Sequence, residues 1–446
     1  MAAKEVSVSR YILALVVIAC ARVWAQTGVV VPQGPTGTPN PPLTISLADA
    51  IQRAKANAPQ FHAALTEAGL AREDRVQARA ALLPDVGYTT GAIYTEPNGT
   101  TSGRFISANA VREYISQGAV HEGIGLSSVA DYRRARALEV LANAKAEIAT
   151  RGLVVTVVQS FYGAIAAKRK ITNTQRADDE AQHFLKISQQ LEQGGEVAHS
   201  DVVKAQLEAN DRQRDLQEAI LAEEKSRLAL AVLIFPTFTS DYQVLDDLGD
   251  VPSLPELHDA QDLAARNNPE LKAAVATLRA SEQEVTSAIG GHLPSVSINY
   301  FYGIDATQYA TKTDGVNNLG YQVSATLNLP IWNWGATQSK VKQAQLQRNQ
   351  SKLELNAAQR QAISDLQTLY SEAQLARNQL DLLHQSVDLA QESLRLTNIR
   401  YRGGEATALE AVDAQNVLVQ ARNNYDDGQV RYRLAIANLQ TLTGSF

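Results

Sequence analysis

Residues 321–330 read YQVSATLNLP. Tyr321, Val323, Ala325, Leu327 and Leu329 fall on one side and Gln322, Ser324, Thr326 and Asn328 on the other, the period-two alternation of a strand. Directly after it comes a stretch, 336–402, with neither glycine nor proline. Within that stretch Leu366, Leu369, Ala373, Ala376, Leu380, Leu383, Val387, Ala390, Leu394, Thr397 and Tyr401 recur in steps of three and four, the seam of a coiled coil. At the usual rise such a helix is roughly 100 Å long. Alone, it fits a soluble coiled-coil rod; the strand beside it points elsewhere.

Upstream, VSINYFYGI (296–304) alternates in the same way, with Val296, Ile298, Tyr300 and Tyr302 opposite Ser297, Asn299 and Phe301. The two segments enclose a polar loop, DATQYATKTDGVNN (305–318). Alternation with aromatic residues near the outer end is the pattern of a barrel with lipid outside and water inside. A first-half pair is formed by VGYTTGAIY (86–94) and a segment within 105–122, across the loop TEPNGTTSG (95–103). In that segment Arg112 and Glu113 blur the assignment of faces. Four strands cannot close a water-holding barrel, and lipid tolerates no open sheet edge. Three copies of the chain would supply twelve.

The chain repeats itself. LADAIQRAKANAPQ (47–60) matches LHDAQDLAARNNPE (257–270) at Leu47/Leu257, Asp49/Asp259, Ala50/Ala260, Asn57/Asn267 and Pro59/Pro269, 210 residues apart. LLPDV (82–86) likewise matches HLPSV (292–296). The turn EQGGEVAHSDVVKAQ (192–206) returns as RYRGGEATALEAVDAQ (400–415), with Gly195, Glu196, Val203, Ala205 and Gln206 against Gly404, Glu405, Val412, Ala414 and Gln415. The resulting organisation is a first repeat at 44–235, a Pro- and Asp-rich joint at 236–255 and a second repeat at 256–446. Each repeat is expected to hold one helix (44–82, 256–292), two strands, a long helix (127–193, 336–402) and a final helix (196–234, 405–443). The fold class is therefore mainly α with a small β part: long antiparallel helical hairpins and four antiparallel strands.

Before the repeats, Arg10 precedes the apolar run YILALVVIACA (11–21), and Ala25 offers a small residue before Gln26, so 1–25 reads as an export signal. An alternative cut follows from VIAC (17–20), which resembles the lipobox of bacterial lipoproteins and would leave Cys20 acylated. Residues 26–43 are a Pro- and Gly-rich extended leader. Beyond the N-terminus no run approaches the length of a spanning helix. A net charge of −6 and a pI near 5.7 argue against a nucleic-acid partner. No catalysis is expected: the seven histidines are scattered, no nucleotide-binding loop appears, and His199, Ser200 and Asp201 are consecutive and cannot converge as a triad. No cofactor or metal site is expected. Met1 is the only methionine, which removes methionine-based copper or silver coordination.

In combination these features resemble the TolC family of bacterial outer-membrane efflux proteins over about 44–443. The resemblance rests on the duplicated helix starts, the Leu-Pro approaches to the strands, LPIWNWG (329–335) and the two Gly-Gly turns followed by VVKAQ and AVDAQ. It implies a homotrimer in the bacterial outer membrane, with a twelve-stranded barrel running into an α-helical tunnel through the periplasm. The implied partners are outer-membrane lipid, a periplasmic adaptor (membrane fusion) protein and an inner-membrane RND, ABC or MFS pump. The implied activity is the exit step of efflux or type I secretion. The alternative is a periplasmic coiled-coil adaptor or structural protein of such an assembly; adaptors have one hairpin and a β-rich half.

On that resemblance Gly194, Gly195, Gly403 and Gly404 mark the periplasmic hairpin tips. Tyr401 and Asp201 match a tyrosine–aspartate pair linking neighbouring hairpins, and Ser200 matches an adjacent hydroxyl. Glu410 and Asp413 match acids lining the constriction. From the residues alone, these two are solvated acids at a helix start, and Tyr401 is seam packing. Ala406 stands where the family's best-known member has an arginine, which removes one charge-assisted bond from the gate.

Overall fold

The computed structural model describes residues 43–95, 112–237 and 241–444. The export signal, Cys20, nearly all of the leader and most of the first polar loop lie outside the described residues. Strand β1 (Leu43–Ile45) leads into α1 (Leu47–Asn57) and α2 (Pro59–Ala80), then β2 (Asp85–Tyr94), β3 (Arg112–Ile124), α3 (Leu126–Gln193) and α4 (His199–Ile234). After β4 (Tyr242–Val244) the order recurs: α5 (Leu257–Asn267), α6 (Pro269–Gly290), β5 (Ser295–Ala306), the small hairpin β6 (Lys312–Thr313) and β7 (Val316–Asn317), β8 (Leu319–Asn328), α7 (Ala336–Arg402) and α8 (Ala408–Thr443).

The first helix of each repeat is two helices, which corrects the single helices expected over 44–82 and 256–292. Ala58 and Asn268 sit in extended backbone, and Pro59 and Pro269 open the next helix. Proline cannot donate an N–H and pushes the residue before it out of helical backbone. The final helices begin at His199 and Ala408, three residues later than expected, because each turn runs on through an extended N-cap, Ala198 or Thr407.

Asn57 and Asn267 acquire a physical reason. Asn57 Nδ2 donates to the carbonyl of Ile234 at 2.9 Å, and Asn267 Nδ2 to that of Thr443 at 3.2 Å. Each closes the C-terminus of its own repeat's last helix, where carbonyls lack intrahelical partners. Arg151 adds a charge there: its guanidinium donates to the carbonyls of Thr441 and Asn267, the ends of α8 and α5.

The four longer strands form one antiparallel sheet in the order β2-β3-β5-β8. Register fixes the faces: Val86, Val120, Tyr300 and Val323 lie in one cross-strand row, while His121, Asn299 and Ser324 lie in a row of the opposite face. In that polar row Asn299 bonds His121 at 2.6 Å and Ser324 at 3.4 Å. Gly303 faces Gln117, and a Cβ there would stand 2.2 Å from the Ser116 carbonyl oxygen, so only glycine fits between these strands.

Helices continue the sheet. α2, α3, α6 and α7 pack side by side in the order of the strands to which they connect. Further from the sheet the neighbours are α4, α3, α8 and α7. The largest core gathers Val154, Val157, Val158, Phe161 and Ile165 of α3 with Ala50 and Ala54 of α1, Leu230 and Ile234 of α4, and Tyr242 and Leu248 of the joint. By composition α3 has a stretch apolar enough to cross a membrane, contrary to the sequence reading; Val154, Val157, Val158, Phe161 and Ile165 of α3 are buried in this core. The joint is pinned by Arg169, whose guanidinium grips Asp246 at 2.6 and 2.8 Å and Gln429 at 2.5 Å. Burial pushes the Tyr162 phenol, which bonds Asp247, up to about 12.

Candidate functional site

Both hairpins reverse by the same backbone device. Gly195 N–H donates to the Glu192 carbonyl and Glu196 N–H to that of Leu191; Gly404 and Glu405 repeat this onto Tyr401 and Arg400. Gly195 has φ +79° and Gly404 φ +73°, the left-handed conformation that costs a side-chain-bearing residue about 1–2 kcal/mol. Gly194 and Gly403 close the preceding helices at near-helical backbone angles. The repeated motif is thus a repeated helix stop.

The two tips are tied together by an apolar cluster. Ala181, Phe184 and Leu185 of α3 pack with Ala205 and Ala209 of α4, Tyr401 of α7, and Ala408 and Ala411 of α8. Tyr401, only 3% exposed, lies with its ring centroid 4.9 Å from that of Phe184. Its hydroxyl shares a 2.9 Å hydrogen bond with the buried Ser188. Burial pushes the Tyr401 phenol up, the Ser188 bond opposes this, and the charge of Asp201 pushes it up further. Asp201 therefore acts on Tyr401 through its field, while its carboxylate lies 3.5 Å from Lys204. Ser200 is exposed.

Glu410 and Asp413 project from the exposed side of α8. Glu410 completes a capping box: its N–H donates to Thr407 Oγ1 at 3.3 Å and its carboxylate accepts from Thr407 N–H at 3.2 Å. The Thr407 backbone bond, then the Thr407 hydroxyl, then Arg400 hold the Glu410 carboxyl below its ordinary value of 4.5. Arg400 reaches Glu410 at 3.4 Å and donates to the Glu405 carbonyl at 3.1 Å. Ala406 packs partly buried against the apolar cluster. The first hairpin has Ala198 as N-cap and no box; instead His199 meets Glu192 at 2.7 Å.

Sequence reasoning missed Ser188, Phe184 and Arg400. The steps of four, three and four from Ala177 through Ala181 and Phe184 to Ser188 are a seam signal that could have found the first two. Among the described residues no cluster of three metal-ligating side chains exists.

The family described as "Outer membrane efflux protein" matches residues 260–445. The proteases secretion protein PrtF of Dickeya chrysanthemi is 24% identical over 90% of this chain and 88% of its own. The outer membrane protein TolC of Escherichia coli (strain K12) is 24% identical over 90% of this chain and 82% of its own. The fold matches that of the Campylobacter jejuni CmeC outer membrane channel with a TM-score of 0.77 at 17% identity, covering 89% of this chain and 85% of that one.

Proposed function

The chain belongs to the TolC family of outer membrane factors, and from that premise we propose that it works as a homotrimeric exit channel of a tripartite efflux or type I secretion system. It is an outer-membrane protein reaching into the periplasm, and its relatives are channels of efflux and secretion, not enzymes.

One observation carries the proposal: the sheet and the helical wall end on matching unpartnered edges. Strand β2 pairs only with β3, and β8 only with β5, among the described residues. On the β2 side the wall ends in α2 and, further down, α4; on the β8 side it ends in α7 throughout. In lipid the free N–H and C=O groups of such edges need partners. Joining the β8–α7 edge of one copy to the β2–α2–α4 edge of the next satisfies strands and helices together. Three copies bring four strands each to a twelve-stranded barrel.

The proposed partners are a periplasmic adaptor at the tunnel and an inner-membrane pump that supplies the energy. The cargo is small molecules or polypeptides. The hairpin tips are the gate, with the Tyr401–Phe184–Ser188 contact holding it shut and Glu410 and Asp413 of each copy ringing the narrowest point. The two-hairpin plan favours a channel over an adaptor. The test is the mass of the detergent-solubilised particle from outer-membrane fractions: heat-resistant trimers are expected, and a single copy or a soluble periplasmic monomer would end the proposal.

A further inference from the structure

We propose that a groove on the outward face of the sheet seats an acyl chain of the outer-leaflet glycolipid, lipopolysaccharide, whose phosphates Arg112 and Lys312 bind. This rests on the outer-membrane placement of the sheet.

On the apolar face, which the barrel turns outward, one cross-strand row reads Tyr88, Gly118, Tyr302 over β2, β3 and β5, and the next reads Val86, Val120, Tyr300. The missing side chain at Gly118 leaves a notch between two tyrosines, part of a groove of about 470 Å³. Its floor lies on the inner strands β3 and β5, so a neighbouring copy joined edge to edge at β2 leaves it open. Nothing in the fold demands this glycine. Gly118 keeps ordinary strand backbone, and a Cβ there would meet only the Tyr302 carbonyl oxygen, at 3.9 Å, whereas Gly303 has no such room. Glycine weakens a strand, and one that neither turn nor close packing requires marks the approach of something else.

Towards the end from which the polar loops leave, hydroxyls line the groove. Ser116, 8% exposed, shares a 2.5 Å hydrogen bond with the Tyr88 hydroxyl and lies 3.3 Å from that of Tyr309. Three hydroxyls joined by two bonds keep one proton to donate, and in hydrocarbon that donor needs an acceptor. An ester or hydroxyl oxygen on an acyl chain supplies one. Tyr309 belongs to the loop between β5 and β8, and its ring also meets that of Tyr114 edge to face at 6.4 Å. The loop is thus drawn onto the outward face, and with it Lys312 of β6, which is exposed. Arg112 opens β3 on the same face as Ser116 and Gly118 and is exposed, while Glu113 turns to the other face. Neither cation forms an ion pair among the described residues. Arg112 stands six residues beyond Gly118; at ~3.3 Å per residue and a tilt of ~40° this is about 15 Å, half the hydrocarbon thickness. A chain seated at Gly118 therefore carries its headgroup to the level of Arg112. The helices leave from the opposite end, so the leaflet concerned is the outer one. Two separate cations suit a lipid bearing more than one phosphate.

The detergent-purified full-length oligomer is to be titrated with deep-rough lipopolysaccharide or with phosphatidylglycerol, which is also anionic, and bound lipid counted by native mass spectrometry. Tighter binding of lipopolysaccharide than of phosphatidylglycerol is expected. Gly118→Leu fills the notch and should weaken lipopolysaccharide binding about tenfold, the worth of about two buried chain carbons. Gly118→Ala, whose Cβ has room, should lose less. Arg112→Gln with Lys312→Gln should weaken lipopolysaccharide binding and flatten its salt dependence. Equal affinity for the two lipids would overturn the proposal, as would lipopolysaccharide binding unchanged in Gly118→Leu. If Gly118→Leu does not assemble, the Arg112 and Lys312 variant decides, and unchanged affinity and salt dependence there would overturn it too. A chain absent from the outer-membrane fraction would sink the placement itself; a chain found there without preference for lipopolysaccharide would sink this inference alone.

Discussion

At the scale of single residues, Tyr401 does two things with one side chain: its ring completes a seam and its hydroxyl crosses to Ser188 on the other hairpin. Tyr401→Phe keeps the ring and leaves the Ser188 hydroxyl buried without this partner, at a cost of about 1 kcal/mol to the closed tip. Resting conductance in planar bilayers should rise, and Ser188→Ala added to it should add little, since both remove one bond. Unchanged resting current would dismiss the bond as a lock. Glu410→Ala with Asp413→Ala should raise single-channel conductance and weaken block by multivalent cations; unchanged current and block would remove both acids from the pore. The Glu410 cap also predicts a pH dependence. Its folded pKa is depressed, so its contribution is whole above the ordinary value of 4.5 and is lost as pH falls through the lower folded value. The α7–α8 turn should therefore fray more readily below about pH 4.5, read by amide exchange at Thr407 and Glu410, and be unaffected between pH 6 and 8 by this group; Glu410→Gln should flatten the acid limb. Gly195 and Gly404 were legible in the sequence because a left-handed backbone admits few other residues, and Asn57 and Asn267 because they recur 210 positions apart. Ser188 was not, because a serine in a seam has no local signature.

At the scale of elements, length and period carried the information. A gap-free run of apolar steps gave α7 as Ala336–Arg402, and alternation gave β8. The helix break before Pro59 and Pro269 went unread, although the proline rule contains it. Strand β3 could not be delimited, since its facing depends on the partner strands that set its register. Gly303 is invisible for the same reason: nothing local says that the Ser116 carbonyl will lie against it. Gly303→Val should part β3 from β5, with heat-resistant oligomers lost from the outer-membrane fraction on denaturing gels, whereas Gly320→Val, where a side chain has open space, should be tolerated. Equal loss of oligomers in both would remove the close approach as the cause.

At the scale of the whole molecule, the matching edges β2–α2–α4 and β8–α7 make a disulfide test possible. In a Cys20→Ser chain, cysteine pairs placed across β2 and β8 should link copies into higher-mass species on oxidation, while a β3–β5 pair should close within one chain. Closure of the β2–β8 pair within one chain would refute assembly by these edges. What the sequence by itself determined is what period and stereochemistry encode locally: long seams, alternating strands, two glycine stops and their order, written twice. What only the tertiary structure decided is which elements stand side by side, that Tyr401 meets Ser188 and Phe184, that Asn57 and Asn267 close their own repeats' last helices, and that Glu410 caps a helix under Arg400. Those contacts join residues from about ten to more than two hundred positions apart, and their free energy depends on packing and register that no single segment contains.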